Sequence, residues 1–181
     1  MIWLLPGIAS FVFFLLFDIL KAQGRRNATS MFILGALLLA VSTGMMVLST
    51  AFPERPLWQS LSGVVAVVWL FALLYVLFAA LPAKKTYAEA ERLQVCSAGP
   101  YALCRHPGGW CFAFLYWFLW LYAPSKEMLA AAIMFPVLNF VYIWVQDRYL
   151  FPKYINDYSF YQQSVPFLLP TWRSIRNCLK R

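Results

Sequence analysis

Tyr101, Cys104, Arg105 and His106 place a phenol, a thiol, a guanidinium and the only imidazole of the chain in one short stretch, with Pro107 directly after them. Pro107 suits the first turn of a helix, where its missing N–H would have had no partner. Arg105 and His106 therefore sit immediately before a helix N-terminus, an end whose partial positive charge attracts anions. They also fall where a charged segment gives way to an apolar one, which puts them at a membrane surface. A second polar cluster, Gln146, Asp147 and Arg148, opens a tail in which Tyr149, Phe151, Tyr154, Tyr158, Phe160 and Tyr161 alternate with polar residues. Such an aromatic segment beside a membrane serves as an interface anchor or as the wall of a site. Cys96, Cys104, Cys111 and Cys178 form no Cys-x-x-Cys pair and have a single histidine for company, so no zinc site is expected. They read as small hydrophobes.

The elements that must hold these residues are membrane helices. The 181 residues are 62% hydrophobic and 12% charged, where soluble domains carry about 25% charge. Apolar runs at residues 2–20, 31–51 and 61–81 have the length of a bilayer span, and shorter ones follow at 107–122 and 127–145. The run 107–122 gives about 24 Å of helix against a core of about 30 Å, and Ser125 is the natural N-cap of the next helix. The expected fold is all-α and integral to the membrane: five transmembrane helices in a single domain, the fourth and fifth forming a hairpin, with an amphipathic C-terminal segment. A short surface helix is expected at 87–95. No cleavable leader is read at the front. Gly35, Ser42, Thr43 and Gly44 are read as small residues that permit close helix packing.

The net charge of +8 does not point to nucleic acid, because every Lys and Arg except Arg55 and Lys126 lies in the first loop, the third loop or the tail. That positive-inside bias predicts an N-terminus outside, with the third loop, the tail and any active site cytoplasmic.

Taken in order, the two polar stretches resemble the isoprenylcysteine carboxyl methyltransferase family and its bacterial and phospholipid-methylating relatives. The family pattern runs Gly-x-Tyr, then Arg-His-Pro-x-Tyr-x-Gly at the start of a helical hairpin. It continues as Glu-Glu-x-x-Leu-x-x-x-Phe-Gly-x-x-Tyr-x-x-Tyr and closes on Val-Pro and a further Pro. Gly99, Tyr101, Arg105, His106 and Pro107 match the first part; Leu150, Tyr158, Tyr161, Val165, Pro166 and Pro170 match the second. The resemblance covers about residues 84–172. Gly109 and Cys111 stand where the pattern has Tyr and Gly, Gln146 and Asp147 replace the Glu pair, and Tyr154 and Ile155 replace Phe-Gly. Tyr142 occupies the position of an Arg that meets the substrate carboxylate in the isoprenylcysteine enzymes.

The resemblance implies a membrane enzyme that uses S-adenosylmethionine to methylate a lipid-like or isoprenoid acceptor delivered by the bilayer. It implies cofactor contacts at Tyr101, His106 and Gln146, with Leu93, Gln94, Val95, Cys96, Pro107, Gly108 and Gly109 close by. Arg105, Tyr142 and Asp147 are the candidates for catalytic roles. Such a cofactor needs an anion partner, a cation partner and aromatic walls. The helix start at Pro107 with His106 suits its carboxylate, and Tyr101 and the tail aromatics suit adenine or sulfonium. Two other readings stay open: a family member that has lost catalysis and acts as a membrane interaction protein, and a membrane reductase using NADPH. No Gly-rich dinucleotide loop speaks for the latter.

Overall fold

The computed structural model describes residues 1–25, 28–50, 56–80, 93–94 and 99–179. Helix α1, Leu4–Ala22, is apolar until Asp18 and stops at Gly24, whose φ of +70° permits a Schellman turn. In that turn Arg25 N donates to Leu20 O at 3.0 Å and Gly24 N to Lys21 O at 3.0 Å. Helix α2 is Ala28–Leu48. Helix α3, Leu57–Leu74, begins directly after the extended Pro56 and runs into a π-turn at Tyr75–Ala79. The second span thus ends before the expected residue 51, and the third starts at Leu57 rather than Leu61. Leu57 and Trp58 are helical, because Pro56 sets the helix start.

Gly99, at φ +56°, opens the single turn α4, Pro100–Leu103. Helix α5, Pro107–Tyr122, has the bounds its apolar run predicts, with Pro107 in its first turn. Helix α6, Lys126–Val145, is capped by Ser125, whose hydroxyl accepts from Met128 N at 3.1 Å. Pro136 lies inside α6 without ending it, as neighbouring helices allow in a membrane. The fifth helix does not stop at Val145. It continues through a π-turn, Gln146–Leu150, into α7, Phe151–Tyr154. Strand β2, Ile155–Asn156, pairs in parallel with β1, Leu93–Gln94. Those two β1 residues are therefore extended where a surface helix was expected, and the rest of 87–95 lies outside the described residues. Helix α8, Tyr158–Ser164, and helix α9, Trp172–Leu179, complete the tail.

Among the described residues the chain is all-helical apart from that short pairing, and four helical stretches are long and apolar enough to cross a membrane: Leu4–Ala22, Ala28–Leu48, Leu57–Ala79 and Lys126–Tyr154. Helix α1 packs on α2 and α6, while α5 packs on α3 and α6. Consecutive helices α2 and α3 do not pack along each other. The bundle is therefore open along one side, between α2 and α3.

Phe135 is fully buried at the centre, against Phe11, Phe112, Tyr116, Met46 and Met128. Between membrane helices lipid tails are as apolar as leucine, so association depends on close packing and interhelical hydrogen bonds. Both are present. Ser42 Oγ donates to Trp3 O at 2.5 Å. A Cβ on Gly7 would collide with the Phe135 ring and lie 2.7 Å from Ser42 Oγ, and one on Gly35 would lie 3.0 Å from Ser10 O. Gly44 differs, because a Cβ there meets nothing within 4 Å and the residue faces the opening.

Gly7→Leu should therefore lower stability in detergent by about 1–3 kcal/mol, the usual effect of overpacking, while Gly44→Leu should leave the melting temperature unchanged. Equal melting temperatures for the two variants would show that α1 is not seated on α2 and α6 as described.

Candidate functional site

The polar end of the bundle is built on Asp147. An α-helix that simply continued would carry this carboxylate along an apolar span; the π-turn at Gln146–Leu150 changes the register and turns Asp147 and Leu150 inward. Arg105 meets the carboxylate from the segment before α5. Its Nη2 donates to Oδ2 at 3.0 Å and its Nε stands 2.9 Å from Oδ1. His106 Nε2 lies 3.1 Å from Oδ1, Tyr158 donates to Oδ1 at 2.6 Å, and Gln162 Nε2 donates to Oδ2 at 3.1 Å. Two separate segments, the one before α5 and helix α8, are tied to one buried acid.

Arg105 carries the connection further. Its Nη1 donates to Gln162 O at 2.6 Å and to Val165 O at 3.1 Å, and its guanidinium lies over the Phe167 ring. Backbone bonds run beside it, from Arg105 N to Pro166 O at 2.9 Å and from His106 N to Phe167 O at 3.2 Å, and Trp110 Nε1 donates to Leu168 O at 2.9 Å. Tyr161 donates to Tyr101 O at 2.7 Å, and Tyr101 donates to Val76 O in the other π-turn at 3.0 Å. The tail is thus laid along the start of α5 as a strap.

Burial pushes the His106 pKa below its ordinary value and the adjacent Arg105 guanidinium adds to this, outweighing the pull of Asp147. The imidazole is neutral near pH 7, with Nε2–H donating to Asp147 and Nδ1 as the acceptor. Burial and the bond to Asp147 raise the Tyr158 pKa, so this phenol stays a proton donor.

In front of this network lies a cavity of about 1170 Å³, larger than the roughly 300–1,000 Å³ of ordinary ligand sites. Its polar end is lined by Tyr101, Arg105, His106, Gln146, Tyr154 and Tyr158; its walls follow Phe112, Leu115 and Leu119 of α5 and reach Leu39, Gly44, Val64 and Leu70 at the side opening. A second acid, Asp18 of α1, stands at the polar end and is 1% exposed. Tyr142 donates to its Oδ2 through a very short bond, Gln146 Nε2 donates to the same oxygen at 2.7 Å, and Tyr154 donates to Oδ1 at 3.2 Å.

Of the residues singled out by sequence, Tyr101, Arg105, His106, Pro107, Gly108, Gly109, Tyr142 and Gln146 all line this one cavity. Asp147 stands behind its wall. Leu93 and Gln94 are joined by backbone to Ile155 and Asn156, the first of which lines the cavity; Val95 and Cys96 lie outside the described residues. A Cβ on Gly109 would lie 3.0 Å from Ile143 and 3.2 Å from Phe140, so a larger residue there would require those side chains to shift. Sequence reasoning missed Asp18, Lys21 and Gln162 as site residues. The signal for Asp18 was available, because an ionisable residue inside an apolar span marks a functional site by default.

No family model, curated protein or solved structure matches this chain.

The depressed His106 pKa has a consequence for stability. Above about pH 6.5 the imidazole is neutral in folded and unfolded chains alike. As the pH falls below that value the unfolded chain takes up a proton that the folded site resists, so stability declines toward the folded pKa. Melting temperature should fall between about pH 7 and pH 5.5, and His106→Gln should flatten that slope, since the chain has one histidine. A slope unchanged in His106→Gln would show that the imidazole is not held neutral.

Proposed function

We propose that this protein is an S-adenosylmethionine-dependent methyltransferase for a lipid-like or isoprenoid acceptor, resembling isoprenylcysteine carboxyl methyltransferase. In this reading α1, α2, α3, α5 and α6 are five spans, α5 and α6 form the hairpin, the N-terminus is outside, and the polar end of the cavity faces the cytoplasm. The observation that carries the reading is the single cavity whose charged, aromatic end is continuous with an apolar side opening between α2 and α3. A charged nucleoside cofactor and a membrane-dissolved acceptor require those two environments side by side.

The residues present fit the cofactor's chemistry. Asp18 and Lys21 supply one charge of each sign, and Tyr101, Phe151, Tyr154 and Tyr158 supply aromatic walls for adenine or sulfonium. S-adenosylmethionine, when bound, supplies an already activated methyl group. The chain then has to orient the acceptor and keep water out. The strap of residues 165–168, anchored by Arg105, closes the polar end, and Phe112, Leu115 and Leu119 align an apolar chain along α5. Tyr142, held on Asp18, presents a neutral hydroxyl where the isoprenylcysteine enzymes present an Arg. Such a wall favours a neutral or amine acceptor over a free carboxylate.

One observation favours the non-catalytic reading, a membrane interaction protein. Arg105 bonds through Nη1 and Nη2 to Asp147 and the carbonyls of Gln162 and Val165, which is what a structural clamp requires.

Calorimetric titration of the purified protein with S-adenosylmethionine, S-adenosylhomocysteine and NADPH separates the readings. The methyltransferase reading predicts binding of the first two and none of the third. Binding of NADPH alone would make the protein a reductase, and binding of none would leave the interaction protein.

A further inference from the structure

Helix α6 shows two faces along its second half. Val137, Val141 and Trp144 are exposed, whereas Asn139, Tyr142 and Ile143, and Gln146 after them, line the cavity. Tyr142 and Gln146 are bonded to Asp18. Asn139 differs from both. It lies seven residues before Gln146, about 10 Å further from the polar end along the helix, and among the described residues its side-chain amide has no hydrogen-bond partner. An amide carries two N–H donors and an acceptor oxygen. The bilayer core has no water to answer them, so an unanswered amide within a span is unfavourable.

A second polar point lies beside it. Phe135, one turn before Asn139, packs edge-on against Tyr116 of α5 with ring centres 5.2 Å apart, which sets Tyr116 at a similar depth. The Tyr116 hydroxyl is 2.5 Å from Thr43 Oγ1 of α2, and both residues line the cavity. Whichever hydroxyl donates in that bond, the other keeps a proton that the bond does not use. Orphaned donors are rarer in proteins than under-used acceptors, and the lining around these groups, Phe11, Phe14, Phe112 and Leu115, offers no side-chain acceptor.

We propose that Asn139 and the Thr43–Tyr116 pair form a carbonyl-binding subsite in the apolar part of the cavity, where the amide N–H and the spare hydroxyl proton donate to a carbonyl group carried on an otherwise apolar ligand. A plain isoprenoid tail has nothing to answer these donors. Two kinds of membrane-dissolved molecule do: a lipid with ester-linked acyl chains, and a quinone with an apolar tail. For the acceptor of the proposed methyl transfer the subsite selects carbonyl-bearing lipids, and that consequence alone rests on the methyltransferase reading. The subsite rests on the donors themselves.

The test uses the full chain in a maltoside detergent, which carries no carbonyl, and reads affinity from the rise of melting temperature with ligand concentration. Two matched pairs serve as probes: dihexanoyl phosphatidylcholine against its dihexyl ether analogue, and decylbenzoquinone against decylbenzene. In at least one pair the carbonyl member should bind about two- to tenfold more tightly than its counterpart, the range for a neutral hydrogen bond. Preference for the ester identifies an acyl lipid, and preference for the quinone a ring carbonyl. Asn139→Leu should abolish the preference by weakening the carbonyl member, Thr43→Val should reduce it, and neither should change the affinity for S-adenosylhomocysteine. No preference in either pair, or one that survives Asn139→Leu, overturns the inference. If S-adenosylhomocysteine binds in that case, the methyltransferase reading stands without the subsite; if the preference appears and S-adenosylhomocysteine does not bind, the subsite stands without that reading. Should Asn139→Leu fail to fold, Asn139→Ala decides by the same comparison.

Discussion

A carboxylate at the edge of an apolar span has to be answered by donors, and the architecture of the polar end follows from how Asp147 is answered. Arg105 and His106 come from the segment before α5, and Tyr158 and Gln162 from α8, after the chain has left α6. Removing one member of such a buried pair typically costs about 3–5 kcal/mol, because the opposite charge is left unanswered. The π-turn at Gln146–Leu150 belongs to the same constraint, since it turns Asp147 toward its partners while α6 keeps its lipid-facing residues Val137, Val141 and Trp144 exposed.

Two acids therefore have different parts in one structure. Asp147, behind the cavity wall, is satisfied by an arginine and holds the strap of the tail in place. Asp18, in the wall, accepts from the neutral Tyr142, Gln146 and Tyr154 and lines the cavity. Helices α2 and α3 do not pack closely on each other, and the cavity is lined by residues of both; Gly44, with nothing near it, lines that cavity rather than a helix contact. The proposed methyl transfer to a membrane-dissolved acceptor grows out of this division between a charged end and an apolar side.

Much of this was legible in the sequence where the signal is local. Pro107 begins α5, Ser125 caps α6, and the short run 107–122 is a short helix, because each depends on neighbouring residues alone. The candidate residues around His106 and Gln146 do gather on one cavity. What sequence did not reveal is pairing across the chain. Asp18 and Tyr142 are 124 positions apart, and Arg105 and Asp147 are 42 apart, and nothing in the spacing of either pair says that they touch. The π-turns were also hidden, since apolar periodicity does not distinguish them from α-helix over a single turn. In sequence Asp18 lies close to Lys21 and the first polar loop, where a span would end, and its burial follows only from α6 packed beside α1.

The central claim is that the polar end, bounded by the start of α5 and the strap, is where the cofactor binds. Hydrogen–deuterium exchange with and without S-adenosylhomocysteine tests this most directly, because amide protection reports local opening. Binding should slow exchange at residues 101–110, at 154–168 and at the Asp18 end of α1, with little change at residues 116–130 at the far end of the bundle. Ligand binding that leaves the first three segments unchanged, or that protects the far end instead, would contradict the account.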